Sequence, residues 1–161
     1  MIAKMLFNVI FLPLYKILIS CGCLLGVEAL VYDKDIKLNY TIEPSLKVLF
    51  NQEQLNQAIM ILLDNAIKYT PNKGSITVSL IKTNNHTLFK IKNTGEGIKD
   101  ENIPYLFERF YKIDESRQNT NESYGLGLSI LKAICEKHNT KINVSSKLGS
   151  HTEFELKFQS K

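Results

Sequence analysis

Apolar and polar positions alternate from Ile36 to Ile42 (IKLNYTI), the two-residue period of a strand with one buried face. Glu43-Pro44-Ser45 reads as a turn, and Leu46 to Phe50 (LKVLF) as a second short strand. From about Gln52 to Tyr69 the period becomes helical, with Leu55, Ile59, Leu62, Leu63 and Ala66 on one side. Asn51 is placed to cap this helix, with Gln54 as its capping-box partner, and Pro71 stops it. Ser75 to Lys82 and Thr87 to Lys92 form the arms of a hairpin closed around Asn84-Asn85, residues that tolerate positive φ. A glycine-bearing loop and a short helical stretch near Glu101 to Tyr111 follow. Residues 113–125 are polar and aperiodic, the mark of a long functional loop. A helix of about Leu128 to Lys137 comes next, with Asn139 as a left-handed C-cap. Lys141 to Ser146 and Thr152 to Phe158 read as two closing strands. This order predicts an α+β fold, a two-layer sandwich in which helices cover one face of a mixed, mostly antiparallel sheet.

Composition narrows the class. The 161 residues suit one domain, and 44% hydrophobic with 22% charged residues is a globular balance. The net charge of +4 is too mild and too scattered for a dedicated nucleic-acid module. Cys21, Cys23 and Cys135 with the three histidines make neither a disulfide framework nor a zinc pattern, so three reduced cytosolic thiols are expected. Residues 1–31 are apolar but interrupted by Lys4, Pro13, Lys16 and Glu28, and no uncharged run reaches the roughly 18 residues that span a bilayer. Met5 to Tyr15 with Leu18-Ile19-Ser20-Cys21 has the outline of an exported lipoprotein leader, but Lys16 breaks its apolar region. Leu14, Ile17, Leu18, Cys21, Leu24 and Leu25 recur at helical spacing, so an apolar helix packed on or leading into the domain is the preferred reading.

Three motifs carry chemistry. In Leu62 to Pro71, Asn65 and Lys68 share one side of a helix, with Tyr69 one turn from Asn65. An amide oxygen is a hard ligand for Mg²⁺, and a lysine offsets phosphate charge. In Asn93-Thr94-Gly95-Glu96-Gly97-Ile98, two glycines let backbone approach a flat ligand, and Asn93 can pair with an adenine edge. In Ser123 to Ile130, Gly125-Leu126-Gly127-Leu128 opens a helix whose free N–H groups form an anion site. Singly, each also reads as ordinary structure: a solvated helix face, a tight turn, a hinge.

Taken together and in this order, the motifs resemble those of the ATP-binding catalytic domain of bacterial sensor histidine kinases. That domain belongs to the class shared with gyrase, Hsp90 and the anti-sigma serine kinases. The first motif resembles the family's N box and the second its G1 box. Leu106-Phe107-Glu108-Arg109-Phe110-Tyr111-Lys112 resembles its F box, and Gly125 to Leu128 its G2 box. The order and spacing match from about Ile36 to the C-terminus, with a looser match back to Phe7-Asn8-Val9, and the ATP-binding catalytic domain is expected over residues 32–161. The resemblance implies that Asn65 binds Mg²⁺, that Lys68, Arg109 and Lys112 meet the phosphates of ATP, and that Tyr69 packs near the adenine. Asn93 would read the base where relatives have Asp, helped by Gly95, Gly97, Ile98, Phe107 and Thr152. Gly125, Leu126, Gly127 and Leu128 would form the hinge of a mobile lid over about residues 109–124.

Asn65, Lys68 and Arg109 would then serve transfer of the γ-phosphate to a histidine. No segment resembles the helix that carries the family's phosphoacceptor histidine. The expected partner is therefore a histidine-containing phosphoacceptor and dimerisation domain on another chain or on a longer parent, with a response regulator downstream. A cytoplasmic monomer is expected, tied to a membrane only through such a parent. Two departures stand out: Ile61 replaces a polar residue one turn before Asn65, and Asn93 replaces Asp. With the missing acceptor segment they motivate one alternative, a nucleotide-binding regulatory module or truncated remnant without transfer activity; an anti-sigma-type serine kinase, of the same fold and similar length, is another.

Overall fold

The computed structural model describes residues 31–43, 46, 48–113 and 124–159. The expected helix within residues 1–31, with Cys21 and Cys23, and most of the expected lid loop lie outside that set. Five strands form one sheet: β1 (Lys37–Ile42), β2 (Ser75–Lys82), β3 (His86–Thr94), β4 (Lys141–Lys147) and β5 (His151–Gln159). Their spatial order is β1-β2-β3-β5-β4, with β1 parallel to β2 and every other pair antiparallel. Helix α1 (Gln52–Tyr69) makes the crossover between the parallel strands, and helix α2 (Gly127–Lys137) enters β4. The sheet is mixed and mostly antiparallel, as the pattern predicts.

The core lies between the helices and one face of the sheet. On β3 the buried row is Thr87, Phe89, Ile91 and Asn93. On β5 it is Thr152, Phe154, Leu156 and Phe158, paired with the first row as Asn93↔Thr152, Ile91↔Phe154, Phe89↔Leu156 and Thr87↔Phe158. Leu55, Ala58, Ile59, Leu62, Leu63, Ala66 and Ile67 of α1 pack onto these rows, joined by Leu131, Ile134 and Cys135 of α2. Burial pushes the Cys135 thiol up to about 11, so it behaves as a small apolar side chain. No helix among the described residues is long and apolar enough to cross a membrane.

The ends of α1 are held tightly. Asn51 Oδ1 accepts the Gln54 N–H at 3.0 Å, the expected N-cap. Gln54 does not close the capping box: its Oε1 accepts from His138 Nε2 at 2.7 Å. At the other end Lys34 Nζ donates to the carbonyls of Ile67 (2.8 Å), Lys68 (3.3 Å) and Thr70 (3.3 Å). An ammonium on carbonyls left unpaired at a helix C-terminus also complements the helix dipole.

Three local expectations need correction. Among the described residues of 46–50 there is no strand. Three of their apolar side chains face the core instead: Leu46 and Val48 are partly buried, and Phe50 is buried against His138 and Phe158, while Leu49 is exposed. The hairpin closes where expected, but neither Asn84 nor Asn85 has positive φ. Thr83 fixes the bend by donating to the His86 carbonyl from both its N–H (2.7 Å) and its hydroxyl (3.0 Å). The helical stretch near Glu101 to Tyr111 is a single 3-10 segment, Asp100–Tyr105, in which Pro104 supplies no N–H to extend the ladder. The left-handed Asn139, at φ 50°, ends α2 as predicted.

His138 ties three elements together. Its ring stacks on Phe50 with centroids 3.8 Å apart, Phe50 meets Phe158 of β5 edge-on, and Gln54 belongs to α1. Burial, seconded by the charge of Lys137, lowers its pKa. The folded protein therefore resists protonation that the unfolded chain accepts. This contribution is complete above the unfolded value of about 6.5 and is lost as pH falls from there through the depressed folded value. Chemical denaturation between about pH 5 and 7 should show wild type losing stability with acid more steeply than His138→Phe, which keeps the stack but cannot titrate. Parallel profiles would contradict the assignment.

Candidate functional site

The three motifs meet along one stripe of α1. Ile61, Asn65 and Tyr69 are spaced one turn apart, so they lie on the same side of the helix. A methyl group in place of the Gly127 hydrogen would lie 3.4 Å from Ile61 Cγ2. The same substitution at Gly95 would put a methyl 2.5 Å from the Tyr69 carbonyl oxygen, closer than any side chain can sit. The start of α2 therefore packs on one end of the stripe and the Asn93–Ile98 loop on the other, with Asn65 between them. Ile61, whose apolar side chain departs from the expected pattern, serves as the seat for the glycine that opens α2. Its carbonyl accepts Asn65 Nδ2 at 2.9 Å. A carbonyl only accepts, so the nitrogen of the Asn65 amide must face the helix and Oδ1 is turned outward.

The far wall is the end of the β3–β5 face. Asn93 and Thr152 are register partners and are 6% and 7% exposed, a polar pair terminating two otherwise apolar rows. Asn93 Nδ2 donates to the Thr94 carbonyl at 3.1 Å, which fixes its amide orientation by the same logic. The loop after Asn93 is fastened to the β4–β5 turn. Gly95 N–H donates to the Ser150 carbonyl (3.0 Å), Gly149 N–H to the Glu96 carbonyl (2.6 Å), and Ile98 N–H to Ser146 Oγ (2.8 Å). Gly97 has φ +72° and sits directly against the Lys147 carbonyl.

The remaining residues are distributed as follows. Lys68 and Tyr69 are exposed at the end of α1, with Lys68 Nζ 5.2 Å from the Tyr69 ring centroid. Phe107 and Leu128 are partly buried against the core, so they anchor their segments there. Arg109 and Lys112 are exposed, and neither forms an ion pair with a described residue. Phe110, at φ +65°, donates its N–H to the Gly125 carbonyl at 3.0 Å, which fastens together the two stems of the 110–125 loop. Leu126 gives α2 no side-chain N-cap, so among the described residues no side chain is bonded to its first N–H groups. Sequence reasoning misses Lys34 and Ser146. Lys34 acts across 33 residues on Ile67, and Ser146 across 48 on Ile98, separations at which no local pattern signals a contact.

Gly97 and Gly149 share a φ of +72°, but only Gly97 is crowded: a methyl group there meets Lys147, whereas one on Gly149 meets nothing within 4 Å. Gly149→Ala should cost about 1–2 kcal/mol, the left-handed penalty alone. Gly97→Ala should cost a further ~1–3 kcal/mol from overpacking. Equal losses in denaturant melts would mean that the loop is not docked on the turn.

Residues 50–161 match the family model described as histidine kinase-, DNA gyrase B- and HSP90-like ATPase. The chain is 41% identical over 128 residues to the sensor histidine kinase YkoH of Bacillus subtilis, covering 80% of this chain and 28% of that protein. It is 35% identical over 125 residues to the sensor protein SrrB of Staphylococcus aureus, covering 76% of this chain and 21% of that one. It thus spans about a quarter of the length of these relatives. The catalytic domain of histidine kinase ThkA superposes with a TM-score of 0.78 at 22% identity, over 94% of this chain and 95% of that one. The mycobacterial sensor histidine kinase MprB does so with 0.75 at 23%, over 92% and 96%. These two likenesses show the same fold. With motifs, fold and sequence in agreement, the chain belongs to the histidine kinase-, DNA gyrase B- and HSP90-like ATPase family.

Proposed function

We propose that this domain binds Mg-ATP along the Ile61–Asn65–Tyr69 stripe and presents the γ-phosphate to a histidine on a phosphoacceptor and dimerisation domain. The observation that carries the reading is the outward Asn65 Oδ1, held between the open N-terminus of α2 and the Gly95 loop. Asn93 Oδ1 accepts a proton of the adenine amino group, and Gly95 and Gly97 bring backbone up to the base. Lys68 offsets phosphate charge from α1, the N–H groups at Gly127 and Leu128 cradle phosphate oxygens, and Arg109 and Lys112 add charge from the other side. Asn65 Oδ1 suits Mg²⁺, which takes few protein oxygens and completes its shell with phosphates and water. When bound, the ion neutralises phosphate charge and fixes its geometry. Catalysis is then mostly positioning and charge neutralisation for in-line transfer. The phosphate passes from the acceptor histidine to a response regulator. The domain works on the cytoplasmic side, where ATP is, and as a monomer when isolated.

At 100 times its Kd, Mg-ATP should stabilise the protein by about 2.7 kcal/mol, or roughly 5–10 °C in Tm at this size. Asn65→Ala should lose that shift while its Tm without nucleotide stays within about 2 °C of wild type. No shift for wild type at millimolar ATP would contradict the proposal. For the transfer step, labelled ATP and a histidine-kinase dimerisation domain should give acid-labile phosphate on histidine. ATP binding without label would leave the non-transferring regulatory module, and acid-stable label on serine would favour the anti-sigma-type kinase.

A further inference from the structure

Ser146 makes three contacts with one hydroxyl group. Its Oγ lies 2.8 Å from the His151 carbonyl oxygen, accepts the Ile98 N–H at 2.8 Å, and lies 2.9 Å from Thr152 Oγ1. A serine has one proton to give. The His151 carbonyl can only accept, and two oxygens 2.8 Å apart without a proton between them repel, so Ser146 donates to His151. The contact with Thr152 then has one possible direction: Thr152 donates to Ser146. This uses the only proton of Thr152, and its Oγ1 is left with lone pairs alone. Its register partner Asn93 has its amide turned the same way, because Nδ2 is bonded to the Thr94 carbonyl and Oδ1 has no partner among the described residues.

We propose that Ser146 is a positioning residue for base selection: by taking the Thr152 proton it makes the buried Asn93–Thr152 pair a two-acceptor edge that favours a 6-amino purine over a 6-oxo purine. The inference rests on the nucleotide site proposed above. An exocyclic amino group carries two protons for two acceptors. A 6-oxo group brings lone pairs to lone pairs and leaves buried polar atoms unmatched, which binding sites reject strongly. Ser146 also holds the Ile98 N–H, so the same hydroxyl that sets the polarity of Thr152 anchors the glycine loop passing the base.

The test is calorimetric titration of the protein with Mg-ATP and Mg-ITP, which differ at the 6-position of the base and in the proton that ITP carries on the neighbouring N1. Wild type should prefer ATP. In Ser146→Ala the Thr152 hydroxyl regains its proton and can rotate to donate to the 6-oxo group, so the ATP-to-ITP preference should narrow about tenfold, one hydrogen bond's worth. Ser146→Thr keeps the hydroxyl and should restore the preference. Thr152→Val should narrow it too, and adding Ser146→Ala to Thr152→Val should change it no further. If Ser146→Ala weakens both nucleotides equally and leaves the ratio intact, Ser146 only anchors the loop and the proposal is wrong. If wild type binds neither nucleotide, the underlying site assignment fails instead. Should Ser146→Ala not fold, the ratios of Ser146→Thr and Thr152→Val decide: an unchanged ratio for Thr152→Val overturns the proposal.

Discussion

The site depends on one contact: the Tyr69 carbonyl of α1 lies where any side chain at position 95 would have to be. That approach brings the last turn of the helix against the loop leaving β3, and it requires the helix end to stay in register with the sheet. Lys34 supplies the restraint. Its ammonium gathers the carbonyls of Ile67, Lys68 and Thr70, so the final turn neither frays nor drifts. Two turns back along the same stripe, Ile61 receives the start of α2. Asn65 stands between the two seats because a helix repeats its faces every turn, and for no more elaborate reason.

A second constraint recurs at smaller scale. Polar side chains in this site are oriented by partners that can only accept. The Ile61 carbonyl turns Asn65, the Thr94 carbonyl turns Asn93, and the His151 carbonyl turns Ser146, which in turn orients Thr152. At Asn65 and Asn93 a backbone oxygen takes the donor and leaves Oδ1 facing outward; through Ser146 the same logic leaves Thr152 Oγ1 with lone pairs alone. Asn93 illustrates the consequence. An Asp at this position would bring charge and two acceptor oxygens; the Asn brings one acceptor, aimed by its own neighbour.

Much of the fold is legible in the sequence because most elements have clean periods. Helix α1 runs over the residues its apolar spacing predicts, and the strands from β2 onward match within a residue or two. LKVLF misleads because its composition suits a strand while its side chains serve a connection, and composition alone cannot tell an apolar cover from an apolar strand. Gly95 and Gly97 are legible because close backbone approach restricts residue type at fixed local spacing, and Asn65 and Asn93 of the proposed site stand out by their place in the same motifs. Lys34 and Ser146 are not, since their partners are distant in sequence and a lysine or serine fits any surface. In the sequence Ile61 is visible only as a departure from pattern. In the fold it has a positive role, as a packing seat for α2 and as the carbonyl that orients Asn65.

In the proposed nucleotide site the N-terminus of α2, Asn65 and the Asn93–Thr152 edge stand or fall together. The most direct measurement is an amide-resolved NMR titration with Mg-ADP. It follows the side-chain amides of Asn65 and Asn93 together with the backbone of Gly95, Gly97, Gly125 and Gly127. All six should respond along one binding curve with a single Kd. Response at Asn65 and Gly127 with none at Asn93 and Gly95, or two separate midpoints, would contradict a single site.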